Sequence, residues 1–250
     1  MNLPNAARQE LSCVVFDLFH TLIDPEVFRP KEYRRPHVVA EILGLDKDQF
    51  TSYWRSTLRS RNTSRAKKNI EYVEDYLRSV GKEAGKDALS KADFELGRYQ
   101  DMAIMNPPRE VAPALADLRR RGLRLCILSN SDDSDTRAWQ RSPLAPYFDA
   151  TAFSCDTGYE KPAKDAYLTA LDMLKGSPDD AAYVGDGGNG ELEGAQDAGF
   201  QAVVFMRGNV AIDGMRTPQE IGHFERVADH IIDSMAELLT LIDRIDLKKR

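Results

Sequence analysis

Four compact apolar runs stand out along the chain: Leu11–Phe16, interrupted only by Ser12, then Leu123–Leu128, Ala181–Val184 and Ala202–Phe205. They are rich in Val, Leu and Phe, and so nearly continuous that they predict strands buried on both faces of a parallel sheet. Between them, apolar positions recur at helical spacing. Val111, Leu115 and Leu118 form one stripe, and Tyr167, Ala170, Leu171 and Leu174 form another. Ile231, Met235, Leu238, Leu239 and Ile242 predict a last amphipathic helix. Strand–helix alternation of this kind implies right-handed crossovers and an α/β, doubly wound domain.

From about Pro25 to Met105 the rhythm changes. Phe50, Tyr53, Trp54 and Leu58 make one helical stripe, and Ile70, Val73, Leu77 and Val80 make another, with no strand pattern between them. Gly81 and Gly85 mark a connection between helices, and Pro107 and Pro108 mark the return to the α/β pattern. The predicted organisation is therefore a core of residues 8–24 and 106–250, with an all-helical insert over 25–105.

Composition narrows the function classes. At 250 residues, with 42% hydrophobic and 30% charged positions, the chain has the make-up of a globular protein with a sizeable core. No apolar run approaches a membrane span, and residues 1–10 lack the apolar stretch of a signal peptide. The three cysteines cannot all pair, and Cys13 and Cys126 lie in strand-like runs, so buried thiols in a reducing cytoplasm are expected. A net charge of −6 argues against general nucleic-acid binding. One stretch runs the other way. From Gln49 to Ile70 there is no acid but six bases, Arg55, Arg59, Arg61, Arg65, Lys67 and Lys68. Either this is a solvated helix face or it is a collar that attracts an anionic substrate.

Polar clusters follow three of the predicted strands: Asp17-Leu18-Phe19-His20-Thr21, Ser129-Asn130-Ser131 and Gly185-Asp186-Gly187-Gly188. In open parallel sheets the ligand crevice lies beyond the carboxyl ends of the strands, so these clusters are directed to one edge. Turn chemistry alone would also place Asp, Ser and Gly there. Convergence of Asp17 and Asp186 would be repulsive without a cation, and hard carboxylate oxygens select Mg2+. Lys161, before Pro162, is placed to supply a fixed positive charge. A carboxylate nucleophile, a cation and a lysine suit covalent catalysis on an anion.

The order Asp-x-x-x-Thr, Ser-Asn, Lys-Pro and Gly-Asp with a later acid resembles the haloacid dehalogenase superfamily. The resemblance covers nearly the whole chain, including the helical insert after the first motif and the ending Ala228-Asp229-His230 before a final helix. It implies a Rossmann-like core and a C1-type helical cap. It implies that Asp17 is the nucleophile, that Thr21 binds the transferring group or braces its loop, and that Ser129 with its neighbour Asn130 holds phosphoryl oxygens. Lys161 would neutralise Asp17. Asp186 would ligate Mg2+ together with Asp17 and the Phe19 carbonyl, while Glu191 stands where a second acid of that motif holds the metal or its water. The implied activity is a phosphatase acting on a small phosphorylated metabolite. Arg34, Arg35 and the basic stretch are then candidates for an anionic substrate tail. Oligomeric state is not legible.

Phe19 departs from the pattern. Phosphatases of the superfamily usually carry a second Asp there, which protonates the leaving group and then activates water; such a group is typically worth about 10²–10⁴ in rate. The adjacent His20 has a suitable pKa but is equally readable as a structural histidine. An aromatic residue at this place instead resembles the 2-haloacid dehalogenases, which expel halide without metal. Asp186 opposes that reading, because those enzymes resemble Ser-Ser-Asn there and an unpaired acid beside Asp17 would need a cation. A third alternative is a catalytically degenerate binding protein that keeps the fold.

Overall fold

Within the described residues, six strands pair in one all-parallel sheet, in the order β3-β2-β1-β4-β5-β6. They are β1 (Cys13–Phe16), β2 (Arg124–Ser129), β3 (Ala150–Phe153), β4 (Ala181–Gly185), β5 (Ala202–Met206) and β6 (His230–Ile232). The computed structural model describes residues 10–208 and 216–247. Nearly all of the polar N-terminal segment read above as lacking a signal therefore lies outside the described residues. No described helix is long and apolar enough to cross a membrane.

Alternation along each strand explains why the apolar runs are continuous. Val14 and Phe16 face one cluster with Leu125, Ile127 and Val184, while Cys13 and Val15 face the other with Cys126, Leu128 and Tyr183. Both faces are covered by helices, so neither can be polar. All three cysteines are buried and free.

Two strands differ from expectation. β3 is four residues long, Ala-Thr-Ala-Phe, too short and too mixed to stand out. β6 contains Ile231, which the spacing assigned to the last helix; that helix instead runs Met235–Leu247. Spacing of four to Met235 made Ile231 read as helical, whereas its backbone pairs with Phe205 of β5.

Between β1 and β2 lie only helices: α1 (Arg35–Ile42), α2 (Lys47–Ser56), α3 (Leu58–Thr63), α4 (Asn69–Ser79), α5 (Lys86–Met105) and α6 (Val111–Arg120), apart from a single turn at Pro25–Val27. Phe50, Trp54, Val73 and Leu77 join Leu96 in a separate apolar cluster. Leu58, placed on the α2 stripe by spacing, instead starts α3 and is 52% exposed, because α2 ends before Thr57. The helix α5 connects the two cores. Ala92 and Leu96 lie in the insert's cluster, but Ala103 and Ile104 pack with the sheet.

Midway, Gly97 faces the short helix α7 (Asp133–Thr136), which follows β2. A Cβ on Gly97 would sit 2.4 Å from the Ser134 carbonyl oxygen and 2.8 Å from Arg137 Nε. The backbone contact cannot yield as a flexible side chain would. Gly97→Val should therefore destabilise the protein by about 1–3 kcal/mol, the usual cost of overpacking. Urea unfolding checks this, and an unchanged midpoint would mean that α5 and α7 are not tightly apposed.

Candidate active site

The strand order reverses between β1 and β4: β2 and β3 continue to one side, β5 and β6 to the other. Crevices form at such switch points, beyond the carboxyl ends of the strands. Register places Phe16 opposite Val184, so Asp17 and Asp186 emerge side by side. The Asp17 amide donates to the Val184 carbonyl at 2.9 Å.

Asp17 is 6% exposed and its two oxygens are separately held. Lys161 Nζ donates to Oδ1 at 2.6 Å, and Thr21 Oγ1 donates to Oδ2 at 2.9 Å. Thr21 reaches back because residues 18–23 form a tight turn, in which the Leu22 and Ile23 amides donate to the Leu18 carbonyl. His20 takes a left-handed conformation in that turn, with φ of 65°. Its Nδ1 lies 3.1 Å from Asp24 Oδ1. Burial opposes a charge on the ring, but the bond to Asp24 and the fields of Asp186, Asp24 and Asp17 outweigh it and raise its pKa.

Lys161 is fixed at both ends. Asn130, at the end of β2, accepts from the Lys161 amide at 2.7 Å and donates to the Lys161 carbonyl at 2.8 Å. At the other end, Nζ donates to Asp17, to Glu191 Oε2 at 2.5 Å and to the Tyr183 hydroxyl at 3.2 Å. Burial works against the ammonium, yet Asp17 and Glu191 hold its pKa above the ordinary lysine value.

After α8 (Ser154–Thr157) and α9 (Lys164–Leu174), Glu191 opens α10 (Glu191–Ala198). Its Oε2 also accepts from Tyr183 at 2.6 Å, and its Oε1 accepts from the Gly187 amide at 2.9 Å. Asp186 accepts from the Gly188 amide at 3.0 Å and from Arg216 Nη2 at 3.1 Å. Gly187 permits this turn: its φ is 89°, and a Cβ there would meet the Phe224 ring at 2.6 Å.

Asp17, Asp186 and Glu191 each offer an oxygen within 4.8 Å of the others, a group able to hold a metal ion. Burial pushes the Asp17 carboxyl up against the pull of Lys161, and the charge of Asp186 adds to the rise. Burial likewise pushes Glu191 up to about 8, against Lys161 and with help from Asp17 and Asp186. The site is short of positive charge.

Of the residues singled out from sequence, Asp17, Thr21, Asn130, Lys161, Asp186 and Glu191 converge. Ser129 is buried at the end of β2, and its carbonyl accepts from the Ser131 hydroxyl at 3.3 Å. Phe19 is half-buried and packs against the main apolar cluster. Arg34 and Arg35 are not brought to the acids. Arg34 Nη1 donates to the carbonyls of Lys31 at 2.7 Å and Tyr33 at 2.8 Å, while Arg35 Nη2 pairs with Asp135 of α7 at 3.0 Å. The basic stretch divides. Arg55, Arg59 and Lys68 are exposed, whereas Arg61 is 3% exposed, stacks 3.7 Å from the Trp54 ring centroid and reaches Asp132 Oδ2 at 3.4 Å. A solvated face therefore describes only part of the stretch. A cleft of roughly 830 Å³ opens beside Lys161, walled by Arg59, Asn62, Asn130, Asp135 and Asn189.

Sequence reasoning missed Tyr183 and Arg216. Tyr183 lies inside an apolar strand, where its hydroxyl gave no signal. Arg216 is separated from Asp186 by 30 residues, and only folding joins them.

The pattern of haloacid dehalogenase-like hydrolases matches residues 11–199. The chain is 27% identical over 241 residues to ribulose-1,5-bisphosphate 5-phosphatase from Halopiger xanaduensis, covering 92% of this chain and 99% of that protein. Its fold is similar to a haloacid dehalogenase-type phosphatase from Thermococcus onnurineus, with a TM-score of 0.62, 21% identity and coverage of 93% and 98%. It is also similar to L-2-haloacid dehalogenase from Xanthobacter autotrophicus, solved with chloropropionic acid covalently bound, with a TM-score of 0.53, 19% identity and coverage of 93% and 98%.

Asp135 provides a pH test of how the insert is held. Burial first, and then the charge of Asp132, push its carboxyl up to about 6 despite Arg35. A carboxyl raised by folding binds its proton more tightly in the native state. Its contribution to stability is thus complete below the ordinary value and is lost as pH rises through about 6. Asp135→Asn mimics the protonated form, so it should become more stable than the wild type as pH rises from about 4 to 6, by up to about 3 kcal/mol. Thermal melts across that range check it; a parallel pH dependence in both proteins would contradict it.

Proposed function

The chain belongs to the haloacid dehalogenase-like hydrolases, and from that premise we propose that it is a Mg2+-dependent phosphatase that acts on a small phosphorylated metabolite through an aspartyl-phosphate on Asp17. One observation carries the reading: Asp17 is buried, bonded to Lys161, and beside a second acid, Asp186, that a metal-free dehalogenation would not need. The phosphatase names of relatives such as the Halopiger xanaduensis protein agree with it.

The donor set fits a divalent cation. Three buried acids, Asp17, Asp186 and Glu191, outnumber the two cations bonded to them, Lys161 and Arg216. Asp17 and Asp186 would hold Mg2+ with carboxylate oxygens, the hard donors it prefers. The Phe19 carbonyl would join them, because its bridge to Ile23 uses the bonding groups of Leu18 and His20. Both Glu191 oxygens already accept bonds, so its part is to hold Lys161 and, at most, a metal-bound water. Bound Mg2+ supplies charge that offsets the repulsion between Asp17 and the phosphoryl oxygens.

Lys161 holds Oδ1 of Asp17, which directs the other carboxylate oxygen to phosphorus. That oxygen forms the bond to phosphorus while the ester bond breaks, and the leaving oxygen keeps the electron pair. Water then displaces the carboxylate from phosphorus and restores Asp17. Ser129 holds phosphoryl oxygens, and Lys161 steadies the charge on the intermediate. The helical insert, residues 25–105, acts as a cap that closes over the cleft, with Arg59 and Asn62 on its wall. Arg34 and Arg35 line a different cavity and are absent from that wall, so they do not meet the transferring group. The buried free thiols suit the cytoplasm.

Phe19 offers no proton, and His20 Nδ1 is engaged by Asp24. Substrates whose leaving oxygen is weakly basic, such as acyl phosphates, are therefore favoured.

Two assays test this. A panel of phosphate esters and 2-haloacids, with Mg2+ and with EDTA, should show phosphate release that needs the metal and no halide release. Halide release in EDTA would establish the dehalogenase reading, and no turnover of any substrate would establish the degenerate one. Separately, Phe19→Asp should raise hydrolysis of alkyl phosphates, by up to the range of about 10²–10⁴-fold, while an activated aryl phosphate gains far less. Equal gains on both would show that no proton donor is missing.

A further inference from the structure

A second cavity, of roughly 730 Å³, lies in the helical insert. It shares no wall residue with the cleft beside Lys161. The boundary between them is an ion pair: Arg35 lines the cavity, and its partner Asp135 lines the cleft. We propose that this cavity is a binding site for a small anion bearing two or more phosphate groups, separate from the catalytic cleft.

Charge is the first argument. Arg29, Lys31, Arg34, Arg35 and Arg55 line the cavity together with a single acid, Glu26. Glu26 is committed to Arg29 at 2.5 Å, and Arg35 to Asp135. Among the described residues no acid pairs with Lys31, Arg34 or Arg55. Three uncompensated cations thus share one concavity in a chain whose net charge is −6. Their mutual repulsion is unfavourable unless an anion offsets it.

Unmet hydrogen bonds are the second argument. Arg29 Nε and Thr51 Oγ1, both on residues of the wall, are buried and have no hydrogen-bond partner among the described residues. A buried donor left unpaired is unfavourable, because it has lost its bonds to water without replacement. Phosphate oxygens are acceptors of the kind both donors lack, and guanidinium forks match phosphate geometry. The volume is also in the range of small-ligand sites, about 300–1,000 Å³. The transferring phosphoryl group is not this ligand, because Asp17, Lys161 and Asp186 are all absent from the wall.

Calorimetric titration with inorganic pyrophosphate in EDTA tests the site without turnover, so its outcome is independent of the phosphatase reading. Four proteins are compared. The wild type should bind. Lys31→Glu/Arg55→Glu, two exposed wall positions, should weaken binding by about tenfold or more. Lys86→Glu/Lys91→Glu makes the same charge change on exposed positions of α5 and should stay within about twofold, as should Arg59→Glu on the cleft wall. Equal weakening by the two double variants would overturn the proposal in favour of a diffuse field. Loss confined to Arg59→Glu would place the anion in the cleft, and absence of binding by the wild type would remove the site.

Discussion

An ammonium group with 2% of its side chain exposed cannot stay charged without partners, and the partners of Lys161 set the geometry of the whole edge of the sheet. Its charge is met by Asp17 from the end of β1 and by Glu191 from the start of α10, with Tyr183 of β4 completing the set. Its peptide is met by Asn130 from the end of β2. Four segments far apart in sequence are thereby drawn to one point. Removal of Lys161 itself would leave Asp17 and Glu191 without the cation that pairs them, and breaking a buried ion pair typically costs about 3–5 kcal/mol. The same constraint makes the site reactive, since it keeps a carboxylate in a dry place beside two further acids.

Charge also attaches the insert to the sheet, through a different set of acids. Arg61 reaches Asp132, the Asn69 amide donates to Asp133 at 2.7 Å, and Arg35 pairs with Asp135. All three acids belong to α7 or its N-cap, and α7 begins directly after Ser129-Asn130-Ser131. Movement of the insert would therefore be felt first at the segment that follows β2. Gly97 lets α5 approach the same short helix closely. The insert is bonded to the segment after β2 at this point.

Much of the fold was legible because a parallel sheet buried on both faces writes near-continuous apolar runs. β1, β2, β4 and β5 were visible for that reason. β3 and β6 sit at the two edges, are short, and have one neighbour each, so their sequences carry a weaker pattern. Asp17 and Asp186 were legible because they follow strands directly, whereas Glu191, at the start of α10, was legible only through the family resemblance. The second layer was not. Nothing in the residue type told Asn130, expected on the substrate, that it would clamp a lysine's peptide. Tyr183 read as an apolar strand position. Arg61 read as one base of a solvated run, and only stacking on Trp54 and proximity to Asp132 show why it is buried. These roles depend on which segments meet, a property of the tertiary fold. Phe19 was legible as a departure, and its packing against the main cluster gives it a structural role.

The central claim is that Asp17, held by Lys161, becomes covalently phosphorylated. Rapid acid quenching during turnover of an acyl or aryl phosphate, followed by mass spectrometry of the proteolysed protein, tests it most directly. The account predicts the mass of one added phosphoryl group on the peptide that contains Asp17, present with Mg2+ and absent in EDTA and in Asp17→Asn. Turnover with no phosphorylated peptide, or with the group on any residue other than Asp17, would contradict it.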